Sequence, residues 1–167
     1  HCCGVYQFQE ADLPTYERMG HRTFQRFGQS GASKVLTWCP TCTKNFDELE
    51  KDVEEPSFDL GHVSEFLAAN LDALKARFTA EQPKRRVVIH EHLGIGATVE
   101  SVRNLLRAVP NLELVELPQD SGFSYACGGQ AAKFKAREQA IHRDLVRGAV
   151  DAGADTIVTM YHSCHRS

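Results

Sequence analysis

Apolar residues recur along the chain with two periods. Four short runs rich in β-branched residues, VLTW (35–38), RVVIH (86–90), LELVEL (112–117) and TIVTM (156–160), have the length and composition of buried strands. Between them apolar positions return every three or four residues, which puts them on one helix face. The stretch 13–28 carries Leu13, Tyr16, Met19, Phe24 and Phe27, with Pro14 near its start and Gly28 at its end. The stretch 62–78 aligns Val63, Phe66, Leu67, Leu71, Leu74 and Phe78. A third, 98–108, aligns Val99, Val102, Leu105 and Leu106 before Pro110, and a fourth, 130–151, ends near Gly153. The acidic segment 47–55 (DELEKDVEE) predicts a solvated face or a linker. Strands alternating with helices predict an α/β fold, a mostly parallel sheet flanked by helices.

The pattern also repeats. FGQSGASKVLTWCPTCTK (27–44) aligns without a gap on AVDAGADTIVTMYHSCHR (149–166). Gly31 then meets Gly153, Val35-Leu36-Thr37 meets Ile157-Val158-Thr159, and Cys42 meets Cys164. Upstream, HCCG (1–4) matches YACG (125–128), so Cys3 meets Cys127 and Gly4 meets Gly128. An internal pseudo-twofold repeat of two modules is expected. The first module, 1–82, keeps Cys2, Cys3, Cys39 and Cys42. The second, 83–167, is degenerate: it keeps Cys127 and Cys164, with Ala126 and Tyr161 in the other two places. The two are expected to form one compact unit.

Composition narrows the chemistry. The chain has 167 residues, 42% hydrophobic and 25% charged, the proportions of an ordinary globular protein. A net charge of −3 removes the footprint of a nucleic-acid binder, and no run approaches the ~20 apolar residues of a membrane span. Six cysteines are sparse for a disulfide scaffold of this length. Cysteines at tight spacing point to metal or redox chemistry, and a cytoplasmic location is expected. Thiolates select zinc, copper(I) or iron–sulfur clusters. Adjacent Cys2 and Cys3 suit a multi-iron cluster, where neighbouring thiolates bind different irons, better than one zinc ion.

Two other motifs compete. WCPTC (38–42) after a strand has the form of a thioredoxin-like redox pair, Cys39 and Cys42, but leaves Cys2-Cys3 unused. RVVIHEHLGIGATV (86–99) with Glu116 resembles a dinucleotide-binding turn, yet Val99 stands at the third glycine position. Near Cys127 and Cys164 the repeat offers His90, His92, Tyr161, His162 and His165 as ligands or proton carriers. His21, His62 and His142 fall on helical stretches and are expected to be ordinary polar residues.

CCG, some thirty-five residues, then CxxC resembles the cysteine-rich CCG domain. GHVSEFL (61–67), RVVIHEHLG (86–94) in place of HDPCHLG, and NLLRAVPNLELVEL (104–117) before YACGG (125–129) are similar to further stretches of that family. It includes B- and D-type subunits of heterodisulfide reductase and iron–sulfur subunits of glycolate oxidase, lactate-utilisation and anaerobic glycerol-3-phosphate dehydrogenase systems. The resemblance implies two modules around 4Fe–4S-type clusters, of a non-cubane kind in heterodisulfide reductase. It implies Cys2, Cys3, Cys39 and Cys42 as iron ligands, with a fifth before CCG, so the sequence is expected to be a piece of a longer polypeptide. In the second module two thiolates are too few for an all-cysteine cluster, and Cys127 and Cys164 with His90, His92 or His162 offer a zinc site or mixed ligation of iron. Gly4, Gly128 and Gly129 are expected to let the backbone approach the bound group. The implied activity is electron transfer, with or without disulfide reduction. The implied partners are a flavoprotein or another iron–sulfur subunit and a small disulfide or quinone-linked acceptor, reached at a membrane only through a partner subunit.

Overall fold

A computed structural model describes residues 3–51, 57–79, 81–91, 96–117 and 134–161. The chain divides into two compact units, His1–Phe66 and Leu67–Ser167.

In the first unit α1 (Val5–Gln9) and α2 (Leu13–Gln29) lead to β1 (Lys34–Thr37), α3 (Pro40–Glu50) and β2 (Asp59–His62). Asp12 caps α2 by accepting from the Thr15 amide at 3.2 Å, and Pro14 sits in the first turn, where its missing N–H costs nothing. β1 and β2 pair in parallel, from Lys34↔Asp59 to Thr37↔His62. The core is built on Phe24, Phe46, Leu49, Phe58 and Cys3, with Phe27, Val35 and Cys42 against it. Four rings interlock here: Phe24 and Phe27 of α2 each meet Phe46 of α3 and Phe58 ahead of β2, at centroid distances of 5.1–5.9 Å. Gly20 lets α2 and α3 close, because a Cβ there would overlap the buried Leu49 side chain.

The second unit is organised by β3 (Arg85–His90), the central strand of a parallel sheet ordered β4-β3-β5, with β4 at Leu112–Leu114 and β5 at Thr156–Thr159. Val87, Val88, Ile89 and His90 are all buried, as a central strand covered on both faces requires. α5 (Leu71–Lys75), α6 (Gly96–Ala108) and α7 (Lys135–Asp151) complete the unit. Arg86 gathers the N-terminal ends of the strands, donating to the Gly153 carbonyl at 2.8 Å and pairing with Glu113 at 3.3 Å. At the other end Arg103 of α6 binds Glu91, which follows β3, and Glu116, which follows β4.

The chain is thus a mixed α/β protein with small parallel sheets, and the four expected strands exist. Among the described residues the strands pair in two small parallel sheets, β1-β2 and β4-β3-β5, where a single sheet was expected. The expected 62–78 helix also differs. His62 ends β2, and the helix is divided into α4 (Val63–Ala69) and α5 by Asn70 at φ −111°, a residue whose side chain competes with helical hydrogen bonding. The strand expected over 112–117 stops at Leu114, although the Val115 amide still reaches the Val87 carbonyl at 2.7 Å. The acidic segment begins inside α3, where Asp47 and Glu48 are exposed and Leu49 is buried. α2, Gly31 and β1 match α7, Gly153 and β5 residue for residue. Each set is a helix of 17 residues, a left-handed glycine (φ 70° and 72°) and a strand of four.

Candidate functional site

The CPTC turn lies where β1 passes into α3. Cys39 is extended (φ −108°, ψ 125°) and occupies the N-cap, Pro40 opens the helix, and Cys42 falls in its first turn. The Cys42 and Thr43 amides bond to the Cys39 carbonyl at 2.9 and 3.1 Å, so the turn is closed by its own backbone. Cys3 arrives from the other direction. Gly4, at φ 77°, breaks the chain into α1, and a Cβ there would press on Tyr16 of α2 at 3.0 Å. Cys3 Sγ then lies 3.5 Å from Cys42 Sγ. It is 1% exposed, embedded in the phenylalanine core.

Cys42 stands between the other two thiols, its S–H directed at Cys3 Sγ. The Cys42 side chain is the main cause that lowers Cys3 to about 6 and Cys39 to about 5, while Cys42, set between the two, is raised. The amides of Cys42 and Thr41 add to the effect on Cys39, as the positive end of a helix should. Asn45, one turn after Cys42, points its Nδ2 at Cys3 Sγ from 3.6 Å. Tyr16 stands beside Cys3, and burial first, then the Cys3 charge, pushes its phenol up. Among the described residues no group of three or more His, Cys, Asp or Glu is disposed to hold a metal ion as it stands. In kind, however, the donors fit a metal group: three soft sulfurs at one helix N-terminus with an apolar floor.

Of the expected site residues, Cys3, Cys39 and Cys42 come together. Cys2, Cys127, Cys164, His92, His162, Gly128 and Gly129 lie outside the described residues, as does His165. His90 ends β3, 1% exposed and in register with Thr159. Glu116, the acid of the dinucleotide alternative, is bound by Arg103 and Arg107. Sequence reasoning missed Asn45, Tyr16 and His62. Asn45 was detectable as the residue one turn beyond Cys42, whereas nothing local marks the other two.

The model of the cysteine-rich domain called CCG matches residues 1–47 and 92–167 of this sequence. The chain belongs to the CCG cysteine-rich domain family. The first CCG match contains Cys2, Cys3, Cys39 and Cys42, and the second contains His92, Cys127, His162 and Cys164. Membership is consistent with metal or cluster binding and with an iron–sulfur redox type of function. No curated protein matches the CCG chain. Among its described residues no helix is long and apolar enough to cross a membrane.

Proposed function

We propose that this CCG chain is an iron–sulfur oxidoreductase domain whose cluster, of 4Fe–4S type, is held by Cys2, Cys3, Cys39 and Cys42. The observation that carries the reading is the meeting of Cys3 with the CxxC turn: residues far apart in sequence bring their sulfurs within 3.5 Å. A bound cluster supplies one-electron storage, with a potential set by its charge, exposure and hydrogen bonds to sulfur. The chain's own residues do the rest. Cys39 and Cys42 present their sulfurs at the positive end of α3, the phenylalanine core keeps water from Cys3, and Asn45 donates an N–H to its sulfur. Electrons would pass to or from a flavoprotein or a second iron–sulfur subunit, with a small disulfide or quinone-linked acceptor beyond.

The same reading holds that 1–82 and 83–167 are two CCG modules, the second degenerate and binding zinc through Cys127, Cys164 and His90, His92 or His162. Its supports are the separate family matches and the matching helix–glycine–strand segments. Gly4, Gly128 and Gly129 would give the bound groups backbone clearance. Chain isolated without oxygen should be brown and contain iron and labile sulfide. A colourless chain holding stoichiometric zinc would overturn the cluster.

A second reading, thiol–disulfide exchange at Cys39 and Cys42, draws on the lowered Cys39 thiol at a helix N-terminus. It predicts that Cys39→Ser abolishes disulfide reduction while Cys2→Ser leaves it intact; equal loss in both speaks against it.

A further inference from the structure

We infer that His62 is a positioning residue of the thiol site, which holds the Trp38–Cys39 backbone in place from the neighbouring strand. The inference rests on the metal-binding reading of that site. His62 is the last residue of β2, pairs in register with Thr37, and is 4% exposed. Its Nδ1 accepts the Ser64 backbone N–H at 3.2 Å. A backbone N–H can only donate, so the ring proton is on Nε2, which donates to the Trp38 carbonyl at 3.0 Å. The Ser64 hydroxyl, 2.7 Å from Nδ1, closes the other side of the ring.

The Trp38 carbonyl and the Cys39 amide share one rigid peptide plane. Fixing that carbonyl fixes the plane from which Cys39 leaves, and so the direction of its sulfur. A second strap runs alongside. Thr37 Oγ1 donates to the Gly61 carbonyl at 3.3 Å and touches the Thr43 hydroxyl, which lies 3.4 Å from the Cys39 carbonyl. The Trp38 carbonyl is therefore tied directly to the end of β2, and the Cys39 carbonyl lies against it through the two threonine hydroxyls.

The position recurs in the other sheet. There His90 ends β3, is 1% exposed, and pairs in register with Thr159, which precedes Tyr161 by two residues as Thr37 precedes Cys39. The histidine strand follows its partner in the first unit and precedes it in the second. The shared register is therefore not a by-product of connectivity. A buried imidazole costs desolvation that an apolar residue at a strand end would not incur, yet it stands at this position in both sheets.

The test uses the full chain, freed of metal without oxygen, with Zn2+ and separately ferrous iron plus sulfide as probes. Trp38 is the sole tryptophan, so its fluorescence anisotropy reads the order of this turn while circular dichroism reads the fold. His62→Ala should bind Zn2+ about 10–100-fold more weakly, the usual loss for an outer-shell partner. It should also lower Trp38 anisotropy at temperatures where the dichroism is unchanged. His62→Gln, whose amide reaches the same carbonyl, should recover most of the affinity. His62→Asn, which keeps an acceptor for Ser64 but falls short of Trp38, should not. Wild-type affinity in His62→Ala, or equal affinity in the Gln and Asn variants, overturns the inference; if the Ala variant does not fold, the Gln–Asn pair decides. A wild-type chain that takes up neither probe overturns the metal reading instead, and Trp38 anisotropy across the variants then decides the His62 role by itself.

Discussion

Three sulfurs that share hydrogen bonds do not titrate as three separate thiols. Cys42, raised by the two sulfurs beside it, keeps its proton, and Cys39, lowered to about 5, remains a thiolate at neutral pH. In metal-free chain an alkylating reagent should therefore modify Cys39 ahead of Cys42 and ahead of Cys3, which is buried. The rate should hold below neutrality and fall only as pH drops toward about 5, whereas an ordinary thiol loses its rate below about 8.5. Peptide mapping of alkylated cysteines across pH checks this, and a rate that tracks an ordinary thiol would contradict it. At this scale the sequence was most legible in its cysteines, because their spacing relative to a strand and a turn already limits where they can go. His62 was not, because its partner, the Trp38 carbonyl, is 24 residues away.

Elements were legible where composition and period agreed. β3 and β5 are β-branched runs, and α2 has both a cap and a stop. β2 (DLGH) was hidden because Asp and Gly are poor strand formers; it exists through its pairing with β1. α3 was hidden by its Pro and Thr residues and by an acidic end that resembled a linker, though Phe46 and Leu49 bury one of its faces. Between α6 and the ends of β3 and β4, Arg103 joins Glu91 and Glu116. The Arg103 hydrogen bond holds the Glu116 carboxyl below its usual range. A depressed carboxylate contributes stability above its unfolded pKa of about 4.3 and loses it as pH falls through the folded value. Glu116 is 54% exposed, so screening limits the contribution to about 0.5 kcal/mol. Glu116→Gln should therefore destabilise the chain by roughly that amount at neutral pH, with the difference vanishing in acid. Denaturant titrations at both pH values measure it, and a gap that persists in acid would refute the assignment.

For the whole molecule, composition had reached no further than an ordinary globular protein with a surplus of cysteine. The repeat divides that surplus between two stretches, and the family matches fall on the same two stretches. If both stretches hold metal as proposed, replacing Cys127 and Cys164 together by Ser should lower metal content by one class of site and leave the iron of the proposed first site in place. Unchanged metal content would make the pair relics of a duplicated motif. One feature of the first unit also bears on the order of assembly. Cys3 is both a candidate ligand and a member of the phenylalanine core. Whatever is bonded to its sulfur is walled in when Phe24, Phe46 and Phe58 close, and leaves only when they part. Loading the site and closing that core are then steps of one reaction, and the rate at which bound metal exchanges should follow the rate at which the core opens.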